Sequence, residues 1–158
     1  MIPTTREECR RAFLFSNFTV LGFPELAPNM TLEHFYQEAK TLDREWKLRI
    51  RSAATASKAR QLGNGCPIQT YWERLKLDVM RKLLERKFRR EPWRTKLATF
   101  EGELVEWNDW HDTFWGKCIC PTHGGRGLNV LGQMLTQIRG NIRDGREPND
   151  YQRGAAGS

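Results

Sequence analysis

The sequence predicts a mainly helical α+β domain with a small antiparallel sheet. Six segments carry apolar residues at the 3–4-residue helical spacing. Only two short stretches, Glu103-Leu-Val-Glu-Trp107 and residues 13–21, read as strands. No internal repeat or low-complexity linker interrupts the chain, so one domain is expected through Arg143. Residues 144–158 are polar, end in Gly154-Ala-Ala-Gly-Ser, and are expected to stay outside the packed structure.

The first helix is expected from Thr31, an N-cap residue, with Leu32, Phe35, Tyr36 and Ala39 as its apolar stripe. Asp43 starts a second, with Trp46 and Ile50 inward. Thr55 opens a third, expected to stop at Gly63-Asn64-Gly65. The longest runs from about Gln69 to Phe88, with Trp72, Leu75, Val79, Met80 and Leu83 on one face. Pro92 suits the first position of a short helix through Leu97. Val130, Leu131, Met134, Leu135, Ile138 and Ile142 mark the last. The 20 residues from Asn108 to Gly127 have no periodicity, but their aromatics and histidines mark a site loop.

Composition sets the class. The 158 residues hold 26 Lys+Arg against 19 Asp+Glu, a net charge of +7, and 39% are hydrophobic. That balance suits a soluble globular domain and points toward phosphate-bearing partners. Much of the excess lies between Tyr71 and Lys96, with ten basic and four acidic residues. This run reads as a nucleic-acid contact or as the solvated back of an amphipathic helix. No apolar run has a membrane span's length, and Glu7, Arg10 and Arg11 break any signal-peptide core. Cys9, Cys66, Cys118 and Cys120 form no disulfide framework, so reduced thiols in an intracellular compartment, cytoplasmic or nuclear, are expected.

Three constellations carry chemistry. Glu33, Gln37 and Lys40 fall at i, i+4 and i+7 on one face of the first helix. Lys40 can lean back toward Glu33 across roughly 10 Å of axis. The face is either a solvated polar surface or a carboxylate and an amine turned into a cleft. Gly124-Gly-Arg-Gly-Leu-Asn129 precedes the last helix and could offer backbone N–H groups to a phosphate. A flexible loop capped by Asn129 is the equal alternative. His111, Cys118, Cys120 and His123 are zinc-type residues. However, Cys-x-Cys lacks the usual two-to-four-residue gap and no second pair follows, so no metal is expected.

Taken in order, Phe15-Ser-Asn-Phe18, Leu32-Glu-His-Phe-Tyr-Gln-Glu-Ala-Lys40, Ala59-Arg60-x-Leu-Gly63 and Trp72-x-x-x-Lys76-x-x-x-Met80 open a recognisable series. Lys87-Phe88, Leu104-Val-Glu106, Asp112-x-x-Trp115-Gly116 and Gly127-Leu-Asn129-x-Leu-Gly132-x-x-Leu135-x-x-x-Arg139 complete it. The series resembles the NADAR superfamily of YbiA-like N-glycosidases over about Phe13 to Arg143, within an expected domain of 1–143. Two departures stand out. Cys66-Pro-Ile lies in a shortened segment that is more basic in the family, and the Cys118–His123 loop replaces a short glycine-rich link.

The resemblance implies a cofactor-free hydrolase that cleaves a bond between ribose C1 and a base nitrogen. It implies a pocket with Lys40, Glu33, Asp112 and Glu106 as catalytic groups. Asn17, Gln37, Arg60, Trp72, Trp115, Gly116, Gly127 and Asn129 would bind substrate. The expected partner is an ADP-ribosylated guanine nucleotide or nucleic acid, with no membrane; the alternatives are phosphoribosylamino-pyrimidine intermediates of riboflavin synthesis or a non-catalytic ADP-ribose or nucleic-acid module. No oligomeric state is implied.

Overall fold

The computed structural model describes residues 15–146, which form six helices and a two-stranded sheet. They fall into two compact units, residues 16–87 and residue 15 with 88–146, taken in turn below.

The first unit is helical. α1 (Leu32–Ala39) follows Thr31, whose backbone N–H donates to His34 Nδ1 at 3.3 Å. His34 is fully buried, and its Nε2 donates to Ala53 O at 3.0 Å, tying α1 to the chain beyond the next helix. α2 (Arg44–Arg51) is capped by Asp43, whose carboxylate accepts from Trp46 N, and turns Ile50 into the core. α3 (Ala56–Gly65) is capped by Thr55 and packs Ala59 and Cys66 with Ile50 and Ala53. α4 (Trp72–Phe88) begins three residues later than Gln69. Gln69 instead holds the end of α1, donating to Ala39 O at 2.7 Å through its side chain and to Lys40 O at 2.8 Å through its backbone. Trp72 and Met80 are buried as expected, whereas Leu75 is exposed and Leu84 takes the deep position.

α3 ends at Gly65, within the expected Gly63-Asn64-Gly65 stop, and Gly63 itself lies in its last turns. A Cβ at Gly63 would stand 2.0 Å from Gln37 Oε1 and 2.8 Å from Gln37 Cβ. The missing side chain lets α1 and α3 approach, and that packing outweighs the roughly 1 kcal/mol helix penalty of glycine.

In the second unit, α5 (Trp93–Thr99) follows Pro92 and α6 (Val130–Arg143) follows Asn129. Leu131, Met134, Leu135 and Ile138 are buried, each worth roughly 1.5–3 kcal/mol. Arg139 and Arg143 donate to the carbonyls of Ala98, Phe100 and Gly102, covering the C-terminal end of α5. The Phe15 ring meets the Phe88 and Phe100 rings edge-on, with centroids 5.9 and 5.2 Å away.

The sheet corrects the expectation of an antiparallel pair. β1 (Trp107–Asn108) and β2 (Lys117–Cys118) run parallel. The proposed partner, 13–21, lies partly outside the described residues, and its described part makes only the bridge Val20–Thr31. The edge at 104–106 is already used, because Asn129 Oδ1 accepts from Glu106 N at 3.0 Å and Asn129 Nδ2 donates to Leu104 O at 3.0 Å. Asn108 closes the short parallel return over its own side chain: it accepts from Asp112 N and donates to Asp112 O at 2.7 Å and Lys117 O at 3.3 Å.

Asn129 therefore braces the backbone and does not cap α6 with its side chain. Its left-handed backbone, φ 54°, suits asparagine better than alanine. Asn129→Ala should lower the unfolding free energy by about 3 kcal/mol, through two orphaned backbone groups, one buried and one partly buried, and the disfavoured conformation. Urea denaturation checks this, and a loss under 1 kcal/mol would contradict the brace.

Candidate active site

The polar face of α1 is buried. Glu33 and Gln37 are only 6% and 3% exposed, which discards the solvated-surface reading. Gln37 Nε2 donates to Glu33 Oε1 at 2.6 Å, fixing the amide orientation and leaving its own Oε1 against Gly63. That Oε1 has no hydrogen-bond partner among the described residues, nor has the buried Oδ1 of Asn17. The cost of burying such acceptors is about 1–3 kcal/mol each, which a ligand hydroxyl would relieve. Asn17 is placed by its own backbone, whose carbonyl accepts from Glu33 N at 3.0 Å.

Lys40, the C-terminal cap of α1, is half-buried, with Nζ 5.7 Å from the centre of the Tyr36 ring. Tyr36 in turn packs against Trp72, with centroids 5.2 Å apart, so Trp72 is a buried wall behind the lysine. Burial pushes the Lys40 ammonium below its ordinary range; Glu33 and Cys66 pull the other way, while the half-buried Arg60 adds to the lowering. Burial wins. The Cys66 thiol is lifted by its own burial, against the pull of Lys40 and of the Thr41 hydroxyl, and donates to Gly63 O at 3.2 Å. On the other side of α1 a cleft of about 620 Å³, lined by Glu25, Asn29, Met30, Phe35, Arg51 and Ser52, contains none of the predicted residues.

Sequence reasoning missed Lys87 as a positioning group. Its side chain is 1% exposed and its Nζ donates to Ser16 O at 3.0 Å, anchoring the segment that presents Asn17. The Lys87-Phe88 pair in the series of family-like pieces was the available signal. The basic run containing it is interleaved with acids, as in the Lys76–Glu73 and Lys82–Asp78 pairs, 2.5 and 2.7 Å apart.

In the second unit, Asp112 Oδ1 accepts from Phe114 N and Trp115 N at 3.0 and 2.9 Å, so this carboxylate shapes the loop. Trp115 is half-buried and meets Phe114 edge-on at 5.0 Å. Glu106 is half-buried, and its carbonyl accepts from Lys117 N. A Cβ on Gly116 would stand 2.1 Å from Glu106 O, and one on Gly127 2.1 Å from Gly116 O, so both glycines permit close backbone stacking. Most backbone donors of the possible phosphate cradle are already committed within the fold. The N–H groups of Asn129, Val130 and Leu131 donate to the carbonyls of Gly116, Phe114 and Trp115, and those of Gly124 and Gly125 to Cys120 and Cys118.

The chain matches the NADAR domain over residues 6–143. This chain belongs to the NADAR family. It is 35% identical over 113 residues to the N-glycosidase YbiA of Escherichia coli, covering 69% of this chain and 68% of that protein. It is 36% identical over 126 residues to the chloroplastic riboflavin biosynthesis protein PYRR of Zea mays, covering 71% of this chain but 19% of that one. The NMR structure of the E. coli protein YbiA superposes with a TM-score of 0.64 at 30% identity, over 83% of this NADAR chain and 78% of the other. The YbiA-like fold expected from the sequence is thus the fold found, and no helix among the described residues is long and apolar enough to cross a membrane.

Proposed function

We propose that this NADAR chain is an N-glycosidase, a hydrolase acting on N-glycosyl bonds, and that it removes ADP-ribose from guanine bases. The observation that carries the mechanism is the buried row on α1: a carboxylate, an amide hydrogen-bonded to it, and a lysine whose burial favours the neutral amine. The names of its relatives support the bond class. A buried acceptor without a partner, Asn17 Oδ1, suits a ligand rich in hydroxyl donors, as ribose is.

Lys40 is the nucleophile in this reading. Its neutral amine adds to ribose C1, and the bond from C1 to the base nitrogen breaks as a proton passes to that nitrogen. The ring-opened sugar is then held as a Schiff base. Water hydrolyses that link, returning the amine and leaving a hydroxyl or aldehyde oxygen at C1. Glu33 stabilises positive charge developing at C1 and carries protons. Asp112 and Glu106 are the other acid–base candidates, Asp112 with one oxygen already committed to its loop. Trp115 offers an aromatic wall. The excess positive charge suits a pyrophosphate-bearing substrate.

The likeness to the maize riboflavin biosynthesis protein favours a second reading, cleavage of phosphoribosylamino-pyrimidine intermediates. A product assay tests the pair. ADP-ribosylated guanosine should yield free ADP-ribose; ribose 5-phosphate released from the pyrimidine substrate, with no ADP-ribose from the first, would favour the second reading. Tight binding with no product from either would reduce the chain to a binding module.

A further inference from the structure

Between β1 and α6 the loop folds four metal-binding side chains onto one point. The side-chain donor atoms of His111, Cys118, Cys120 and His123 all lie within 4.8 Å of one another. Cys120 Sγ stands 3.3 Å from His111 Nδ1 and 3.0 Å from His123 Nδ1, with the two imidazoles edge to face at 5.5 Å. A tetrahedral zinc ion with Zn–S of about 2.3 Å and Zn–N of about 2.0–2.1 Å separates its ligands by about 3.3–3.8 Å. The four donors need to move by only about an ångström to meet that geometry.

The backbone is built toward this arrangement. Cys118 lies on β2 and is wholly buried; Cys120 is 8% exposed. Cys120 N donates to Cys118 Sγ at 3.5 Å, a contact that suits a sulfur carrying negative charge. A tight turn follows, in which His123 N and Gly124 N both donate to Cys120 O, at 3.0 and 2.8 Å, bringing His123 back over the sulfur. Arg126 braces the turn through the carbonyls of His123 and Thr122, both at 2.8 Å. His111 arrives from the other end of the loop on a left-handed residue, φ 67°, a conformation in which histidine is enriched among non-glycine residues.

We propose that His111, Cys118, Cys120 and His123 bind one zinc ion as a closed structural site that clips the loop carrying Asp112 and Trp115. Binding exchanges two thiol protons for Zn²⁺, giving a neutral site of two thiolates and two neutral imidazoles. With four protein ligands no coordination position is left for water or substrate, so the ion's role is to fix the loop. The Cys-x-Cys spacing argued against zinc because it considers ligands in sequence order. Here the second half of the site comes from histidines that the fold brings in from both flanks.

The test uses the full chain purified without chelator. Elemental analysis should find one zinc per chain, and X-ray absorption should show two sulfur neighbours at about 2.3 Å and two nitrogens at about 2.0–2.1 Å. Replacement by Co²⁺ should give the visible absorption of a tetrahedral thiolate complex. Cys120→Ser and His123→Asn should each lower zinc retention at least tenfold, whereas Cys66→Ser should keep it. Should the ligand variants fail to fold, the metal content and absorption shell of the unaltered chain still decide. Less than a tenth of an equivalent, even after equilibration with zinc chloride under reducing conditions, would overturn the site. So would a shell without sulfur, or a Cys118–Cys120 disulfide with no metal.

Discussion

Lys40→Arg should lower the rate of N-glycosyl cleavage by about 10³-fold while leaving substrate binding within a few-fold of the unaltered chain. Arginine keeps the positive charge but never offers a neutral amine near pH 7, so it separates nucleophile from charge clamp. Borohydride added during turnover should leave a ribose-derived adduct on Lys40. The pH dependence supplies an independent check. Burial lowers the Lys40 proton affinity and Glu33 raises it. Activity should therefore fall as pH drops through the lowered Lys40 value, where the amine becomes protonated. In Glu33→Gln the remaining activity should persist to lower pH, because the carboxylate holding that proton is gone. Substantial activity in Lys40→Arg with no trapped adduct would return the chemistry to the carboxylates.

The lowered Lys40 value also has a stability consequence. The unfolded chain binds the Lys40 proton more tightly than the folded one. Stability contributed at this site thus rises with pH between the folded value and the ordinary value of 10.5, and is smallest below the folded value. At neutral pH, Lys40→Met should raise the melting temperature while abolishing catalysis. A lower melting temperature would mean that the lysine stabilises the fold.

Gly63→Ala should have the largest effect on structure, about 3 kcal/mol of lost stability together with lost activity. The new methyl would meet Gln37 at Oε1, Cδ and also Cβ, so a rotamer change alone cannot absorb it. α1 and α3 would separate and the Gln37–Glu33 hydrogen bond would break. Gln37→Ala in the same chain should restore only part of the stability, since its Cβ is retained. An unchanged denaturation midpoint in Gly63→Ala would contradict the close approach of these helices.

The helices were legible because each buries an apolar stripe, and periodicity reports that directly. α6 shows it best: Leu131, Met134, Leu135 and Ile138 are buried as their spacing predicts. Periodicity does not report burial of polar groups, so Glu33 and Gln37 looked like a solvated face until the glycine at 63 explained how another helix covers them. The Gly63-Asn64-Gly65 stop was legible, since α3 ends at Gly65, but sequence alone does not show that the first of these glycines also serves a helix contact. The sheet was misread because its edge is satisfied by a side chain, Asn129, from 23 residues away. Resemblance supplied the candidate residues as a set. Their surroundings then divided: Asn17 and Lys40 carry features a ligand would use, Gln37 joins Glu33 to the helix contact at Gly63, and Gly116, Gly127 and Asn129 serve close backbone packing.

Product analysis with ADP-ribosylated guanosine tests the account most directly, with the unaltered chain and Lys40→Arg assayed side by side and the products separated by mass. Free ADP-ribose and unmodified guanosine are expected from the unaltered chain, and intact substrate from Lys40→Arg. Intact substrate from both, with cleavage of a phosphoribosylamino-pyrimidine by the unaltered chain, would contradict it.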